Sequence, residues 1–374
     1  MDLALKKKLI NPSICIMIPR LSSIDGQAIR VIDMAESLKD YRVSFVTHTV
    51  DRVDEISTKY DIYVSNRYYL SIIDGKLISH LKDYDQIIVQ GAIPFLLATM
   101  VTRKRVIYSS PGPDPLFLFR FPGKIKMFIS RILERFLVKK ARLLICNSEW
   151  MGGYYEKIKV HPTIVPSSID NSVFFPTSNS KCISKMGKIK LILVGDWDGW
   201  YGRKRQHEFI SLLPEVFLEY PEVDVELIGL SEESIRELHK FVERLSISSK
   251  VKLRGRMSSK EVANRLRQSD IFVSSTISDT FYRPIVEAFA CGLPALVRIP
   301  PTFVPRENIA QIHHAKKSGG AVLFNLNPSS FLDALYHVIQ NYQNLRSNSL
   351  EYSNLFKRKL IRDEYRALFN EIMG

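Results

Sequence analysis

Two carboxylates, Asp279 and Glu287, stand eight residues apart in the stretch SDTFYRPIVEAFACGLPAL (278–296), with Phe281, Tyr282, Arg283 and Pro284 between them. Pro284 suits the first position of a helix, where a missing N–H costs nothing. Gly292 suits the cap at the far end and Pro294 the break beyond it. The spacing predicts a helix over 284–291, entered from the short strand DIFVSS (270–275). A helix start offers unpaired N–H groups and a partial positive charge, which together bind anions. Glu287, one turn in, could accept two hydrogen bonds from a vicinal diol such as a ribose. Asp279, on the preceding loop, could do the same for a second sugar, with a diphosphate between them. The bland alternative is that both acids only complement the helix dipole, for roughly a few tenths of a kcal/mol each.

Strands alternating with helices must position these groups. SICIMIP (13–19), VSFVTHT (43–49), DQIIVQG (85–91), KRVIYSS (104–110) and ARLLICNS (141–148) are short apolar runs, hence buried strands. GQAIRVIDMAESL (26–38) has apolar residues at helical period. The polar stretch 174–187 reads as a linker. The alternation then restarts with strands at 189–196, 223–230, 250–257 and 270–275 and helices at 206–220, 232–245 and 259–268. Such alternation implies parallel sheets covered on both faces. The expected class is α/β, with two doubly wound Rossmann-like domains facing a cleft. The domains are 1–180 and 187–350, followed by a terminal stretch, 351–374. Ligands in such sheets bind beyond the carboxyl ends of the strands, where strand order reverses.

The 374 residues favour two domains, and 45% hydrophobic with 25% charged residues is the profile of a globular protein with real cores. No apolar run reaches the roughly 18 residues of a membrane span, and no signal peptide is read. Cys15, Cys146, Cys182 and Cys291 form no CxxC pair and read as free thiols in a reducing cytoplasm. The histidines show no HExxH spacing, and the adjacent His313 and His314 cannot share a helix face, so no metal site is expected. The net charge of +14 implies an anionic partner. Eight basic residues between Arg120 and Arg142 face one acid, Glu134, on an amphipathic stretch with an aromatic lead-in. This is the composition of a helix lying on anionic lipid, although a core-facing helix with a basic outer side would look the same. Nucleic acid is not expected, since no recognition motif accompanies the charge.

The opening stretch resembles the signature of retaining family 4 glycosyltransferases, E-x-F-G-x-P-x-x-E-A-x-A-C-G-x-P, matching at Phe281, Pro284, Glu287, Ala288, Ala290, Cys291, Gly292 and Pro294. Asp279 replaces the first Glu, one methylene shorter, and Tyr282 replaces the usual Gly. The resemblance extends over nearly the whole chain and implies the GT-B architecture, with 1–180 for the acceptor, 187–350 for the nucleotide-sugar donor and 351–374 as a helix crossing back to the first domain. LILVGDWDGWYGRKRQHEFISLL (191–213) looks like the first strand of the donor domain and the loop that brings cations to the diphosphate. Gly195 ends that strand; Asp196 stands where an Arg is frequent, leaving Arg203 and Lys204 for the role. A metal reading of Asp196 and Asp198 is set aside, because that motif belongs to a single-domain architecture. SSPGPDPLF (109–117) resembles the loop where relatives carry His-Gly; Gly112 matches and Pro111 takes the His position.

The resemblance implies transfer of a sugar from a nucleotide-diphosphate donor to a glycan or lipid-linked acceptor, with retention and without a metal or other cofactor. It implies catalytic roles for Asp279, Glu287, Arg203 and Lys204. Gly195, Arg254, Phe281, Tyr282 and Arg283 would help to hold the donor, and Gly26, Gly112 and Asp114 the acceptor. The expected location is the cytoplasm, with 120–142 as a docking surface on the inner face of the membrane. Two rivals stay open at this level. One is an inactive binding protein of the same fold, and the other an epimerase or phosphorylase of similar architecture.

Overall fold

The computed structural model describes residues 12–22, 26–51, 54–65, 75–91, 94–95, 98–99, 102, 106–110, 135, 138–177, 187–197, 199–200, 202–302, 304 and 309–373. The chain forms two compact units, Met1–Ser168 with Lys359–Gly374, and Ile169–Arg358.

In the first unit, β1 (Ser13–Ser22), β2 (Arg42–Asp51), β3 (Asp61–Val64), β4 (Gln86–Gln90), β5 (Val106–Ser109), β6 (Leu143–Cys146) and β7 (Thr163–Ile164) make a parallel sheet. Its order is β3-β2-β1-β4-β5-β6-β7. The helices are α1 (Gly26–Ser37), α2 (Asp54–Ser57), α3 (Gly75–Lys82) and α4 (Glu149–Glu156). The two-residue period of β1 divides its side chains between the faces. Ile14, Ile16 and Ile18 pack with Ala28, Val31 and Met34 of α1. Cys15 and Met17 pack on the other side with Leu77 and Leu81 of α3. Both faces are covered, so the strand reads as a continuous apolar run rather than as alternation.

The second unit holds β8 (Ile189–Val194), β9 (Val223–Leu230), β10 (Val251–Gly255), β11 (Ile271–Ser274), β12 (Ala295–Arg298) and β13 (Ala321–Phe324). They form a parallel sheet of order β10-β9-β8-β11-β12-β13. The helices are α5 (Gln206–Ile210), α6 (Leu213–Glu219), α7 (Glu232–Arg244), α8 (Ser259–Gln268), α9 (Arg283–Ala290), α10 (Ala310–Ser318), α11 (Pro328–Gln340) and α12 (Tyr342–Ser353). The strand order reverses between β8 and β11, so the loops after these two strands meet at the point where such a sheet receives a ligand. The final helix, α13 (Arg358–Met373), returns to the first unit, where Ile361, Tyr365 and Phe369 join the core around Ile14 and Ile16.

The structure departs from the sequence reading in the bounds of several elements. The helix expected over 206–220 is two helices, because Pro214 has no N–H to continue a helical ladder and sits at the start of α6 instead. The amphipathic stretch 352–373 is interrupted between α12 and α13 by a tight turn, Asn354–Phe356, and by Lys357 in extended conformation (φ −57°, ψ 131°). The second unit already begins at Ile169, ahead of the stretch read as a linker, and Phe174 is buried. Where the chain enters and leaves the second unit, Ile169 N–H donates to Phe356 O (2.8 Å) and Arg358 N–H to Ile169 O (3.0 Å).

Candidate active site

The loop after β8 and the loop after β11 are tied together along their backbones. Ile277 N–H donates to Arg203 O (2.9 Å), and Ser275 Oγ to Lys204 O (2.7 Å). This brings two cations to one carboxylate. Asp279 Oδ2 accepts from Arg203 Nη1 at 2.7 Å and lies 3.7 Å from Lys204 Nζ. Asp279 Oδ1 accepts the backbone N–H of Phe281 (3.2 Å) and of Tyr282 (3.0 Å). The Asp279 side chain is only 16% exposed. Burial alone would raise its pKa, but Arg203, Lys204 and the two amides outweigh it and hold the group down at about 2.

Gly195 lies behind the cations with φ +134°, a backbone conformation suited to glycine, and its Cα faces the Lys204 stem. Gln206 Nε2 donates to Gly195 O (3.1 Å), and Gly229 (φ +89°) of β9 passes close to the Gly195 backbone. Asp196 is a brace for this loop. Its Oδ1 accepts from Ser231 N–H (2.8 Å) and Ser234 Oγ (2.9 Å), and its Oδ2 from Arg256 (3.1 Å). Burial pushes its pKa up, yet these partners bring it below the usual value. Asp198 lies outside the described residues. Among the described residues, no group of three or more His, Cys, Asp or Glu side chains is placed to hold a metal.

The helix start departs from the sequence reading by one residue: α9 begins at Arg283, with Tyr282 as its N-cap in left-handed conformation (φ 55°, ψ 62°). That conformation costs a non-glycine residue about 1 kcal/mol. Tyr282 is buried and packs on Phe272 (ring centroids 6.2 Å apart), and Lys204 Nζ lies 4.9 Å from the centre of its ring. Phe281 is buried against His314 and Phe356. Glu287 is 9% exposed and accepts from Arg283 Nε at 2.6 Å across one turn of α9. Burial pushes the Glu287 carboxyl up, and Arg283 only partly reverses this. Arg283 is therefore engaged with Glu287. Arg254 is ion-paired with Glu226 on the neighbouring strand β9, which also lies 3.7 Å from Arg265.

Of the residues read from sequence for an acceptor, Gly26 opens α1 with free space around its Cα. Gly112 and Asp114 lie outside the described residues, as does Pro111 and most of 120–142. Cys15, Cys146 and Cys291 are buried and form no disulfide among the described residues, and Cys182 lies outside the described residues. Sequence reasoning missed α10, which braces the acidic loop. Ala310 N–H donates to Asp279 O (3.0 Å), and Gln311 Nε2 to Thr276 O (3.0 Å). It also missed the aromatic cluster of Trp197, Trp200 and His207 beside the cation loop, where Trp197 Nε1 donates to His207 Nδ1 (3.1 Å). No motif spacing marked either feature.

Residues 181–353 match the family of glycosyl transferases group 1. HepE from Anabaena, solved with UDP-glucose, superposes over 96% of this chain and 99% of its own, with a TM-score of 0.75 at 16% identity. Sucrose-phosphate synthase from Thermosynechococcus elongatus superposes over 97% and 99%, with a TM-score of 0.73 at 13% identity. In sequence, one of the subunits of human phosphatidylinositol N-acetylglucosaminyltransferase is 27% identical over 131 residues, 35% of this chain and 25% of that protein. The match thus spans about a quarter of the length of the human relative. The two sheets and their flanking helices define a protein of the GT-B fold. The residues that match glycosyl transferases group 1 lie within its second unit.

Proposed function

We propose that the chain moves a sugar from a nucleoside diphosphate sugar to a glycan or lipid-linked acceptor, with retention at the anomeric carbon. Convergence of Arg203 and Lys204 on Asp279 at the start of α9, with Glu287 one turn in, is the observation that carries this reading. The two cations and the amides of the helix start receive the diphosphate. Glu287 accepts hydroxyls of the ribose, and Asp279 accepts those of the transferred sugar. The bond from the anomeric carbon to the phosphate oxygen breaks with its electrons going to the diphosphate, whose growing charge the cations offset. A good contact of this kind contributes roughly 3–4 kcal/mol. The carboxylate of Asp279 faces the positive charge that develops on the sugar. The acceptor oxygen bonds to the same face, and its proton passes to the departing diphosphate.

UDP-glucose in HepE supports a uridine diphosphate hexose as donor, and the name of the human relative supports a lipid-linked acceptor. The basic stretch 120–142 would bring the enzyme to such an acceptor on anionic lipid. Among the described residues, no helix is long and apolar enough to cross a membrane.

A thermal-shift panel of nucleoside diphosphates tests the donor site. One of them should raise the melting temperature, and Glu287→Ala should abolish the rise; a flat panel would sink the reading. Release of the diphosphate from donor only when acceptor is supplied would then separate transfer from epimerisation. Flotation with anionic vesicles should be lost when Arg131, Arg135, Lys139 and Lys140 are changed to Glu.

A further inference from the structure

The peptide between Phe281 and Tyr282 is held at both of its polar ends. Its N–H donates to Asp279 Oδ1 (3.0 Å), and its carbonyl, Phe281 O, accepts from His314 Nε2. A carbonyl can only accept, so Nε2 carries the proton. His314 is fully buried, and burial brings its pKa down to about 4, only partly offset by its bond to the Phe281 carbonyl and by Asp279. The ring is therefore neutral, and Nδ1 is an acceptor for the Tyr352 hydroxyl at 3.0 Å. The chain of bonds runs from the Tyr352 O–H to His314, from His314 to the Phe281 carbonyl, and from the Tyr282 N–H to Asp279. The Phe281, Tyr352 and Phe356 rings enclose the imidazole edge-on, at centroid distances of 5.1, 5.8 and 5.7 Å.

This arrangement answers a problem set by Tyr282, a bulky residue in the left-handed region. A half-turn of the Phe281–Tyr282 peptide would reverse the sign of the Tyr282 φ and relieve it. The same half-turn would take the N–H away from Asp279 and present a carbonyl oxygen to the carboxylate, and to any diphosphate brought to the helix start. We propose that His314, oriented by Tyr352, is the positioning residue that bars this flip and so keeps the Tyr282 N–H and Asp279 in their working orientation. Its consequence for transfer rests on the donor-site reading above; the lock itself does not.

Two readouts on the full chain keep these apart. The first is hydrogen exchange of the segment 276–284 in the wild type, His314→Leu, His314→Gln and Tyr352→Phe, each with Tyr282 and with Tyr282→Gly. Loss of the His314 bond should speed exchange of the segment by roughly tenfold, the weight of one buried hydrogen bond to a fixed acceptor. Glutamine, which keeps a donor at similar reach, should restore part of the protection, and Tyr352→Phe should show a smaller effect. With glycine at 282 the strain that drives the flip is gone, so the His314→Leu effect should shrink severalfold. An equal effect in both backgrounds, or none on this segment, overturns the lock and leaves His314 as core packing. Should His314→Leu fail to fold, the comparison of His314→Gln and Tyr352→Phe in the two backgrounds decides in the same way. The second readout is transfer: kcat should fall in step with the loss of protection. A wild type that binds no nucleoside diphosphate overturns the donor reading alone, since exchange still tests the lock.

Discussion

At the scale of single residues, Asp279 is the group on which the site turns. It occupies the two cations and the two amides that the proposed mechanism assigns to a diphosphate. A diphosphate brought there competes with it, and a transferred sugar gives the displaced carboxylate hydroxyls to accept. On the proposed mechanism that compensation is lost after transfer, and Asp279 would then favour release of the product. Asp279→Asn should therefore bind the free nucleoside diphosphate more tightly, by about tenfold at most given the partial exposure of Arg203, while transfer collapses. Unchanged or weaker binding by calorimetry would count against the competition. The same carboxylate has a pH signature. Its folded pKa, about 2, lies below the unfolded value near 3.9. Its stabilisation is thus complete above about pH 4 and lost as pH falls toward 2, on the order of 2 kcal/mol. Urea midpoints of the wild type should fall through that window more steeply than those of Asp279→Asn.

At the scale of elements, α9 is defined at its start by a strained tyrosine and at its end by a glycine. Gly292 has φ +78°, and a Cβ there would lie 2.6 Å from Arg346 Nη1, which itself donates to Gly292 O (2.8 Å). Gly292→Ala should cost about 2 kcal/mol through backbone strain and displacement of a buried arginine. Gly153, with open space around it inside α4, is the control, and Gly153→Ala there should be neutral or slightly stabilising. Equal stability changes for the two variants in urea unfolding would refute the argument. The capping signals of this element were legible: Pro284, Gly292 and Pro294 bound the helix to within a residue. The split between α5 and α6 was legible too in principle, through Pro214, but the apolar period running across it outweighed the single breaker. β12 and β13 escaped because four-residue apolar runs carry no periodicity of their own.

At the scale of the whole molecule, the last sixteen residues complete a core that begins at the other end of the chain. Ile361, Tyr365 and Phe369 are fully buried against β1 and α1. Arg30 Nε donates to the Tyr365 hydroxyl (3.3 Å), and Arg362 pairs with Asp33 (2.9 Å). Phe369→Ala should destabilise the first unit by roughly 3–5 kcal/mol. Trp150 reports on that unit and Trp197 and Trp200 on the second, so single-tryptophan variants can follow each. An early transition seen by Trp150 alone is the expected result; a common shift in both would contradict it.

By itself the sequence determined the class of fold and the candidate donor chemistry. Buried parallel strands must be continuous apolar runs, and a helix that receives an anion must carry its start and stop residues next to its acids. Only the tertiary structure decided which cations meet Asp279, that Arg254 and Arg283 are taken up by Glu226 and Glu287, and that His314 serves the acidic loop at Phe281 from 33 residues away. Arg203 and Lys204 reach Asp279 from another loop at the reversal of strand order, Arg254 meets Glu226 across neighbouring strands, and His314 comes from α10; long-range hydrogen bonds to backbone carbonyls leave no pattern in residue identity.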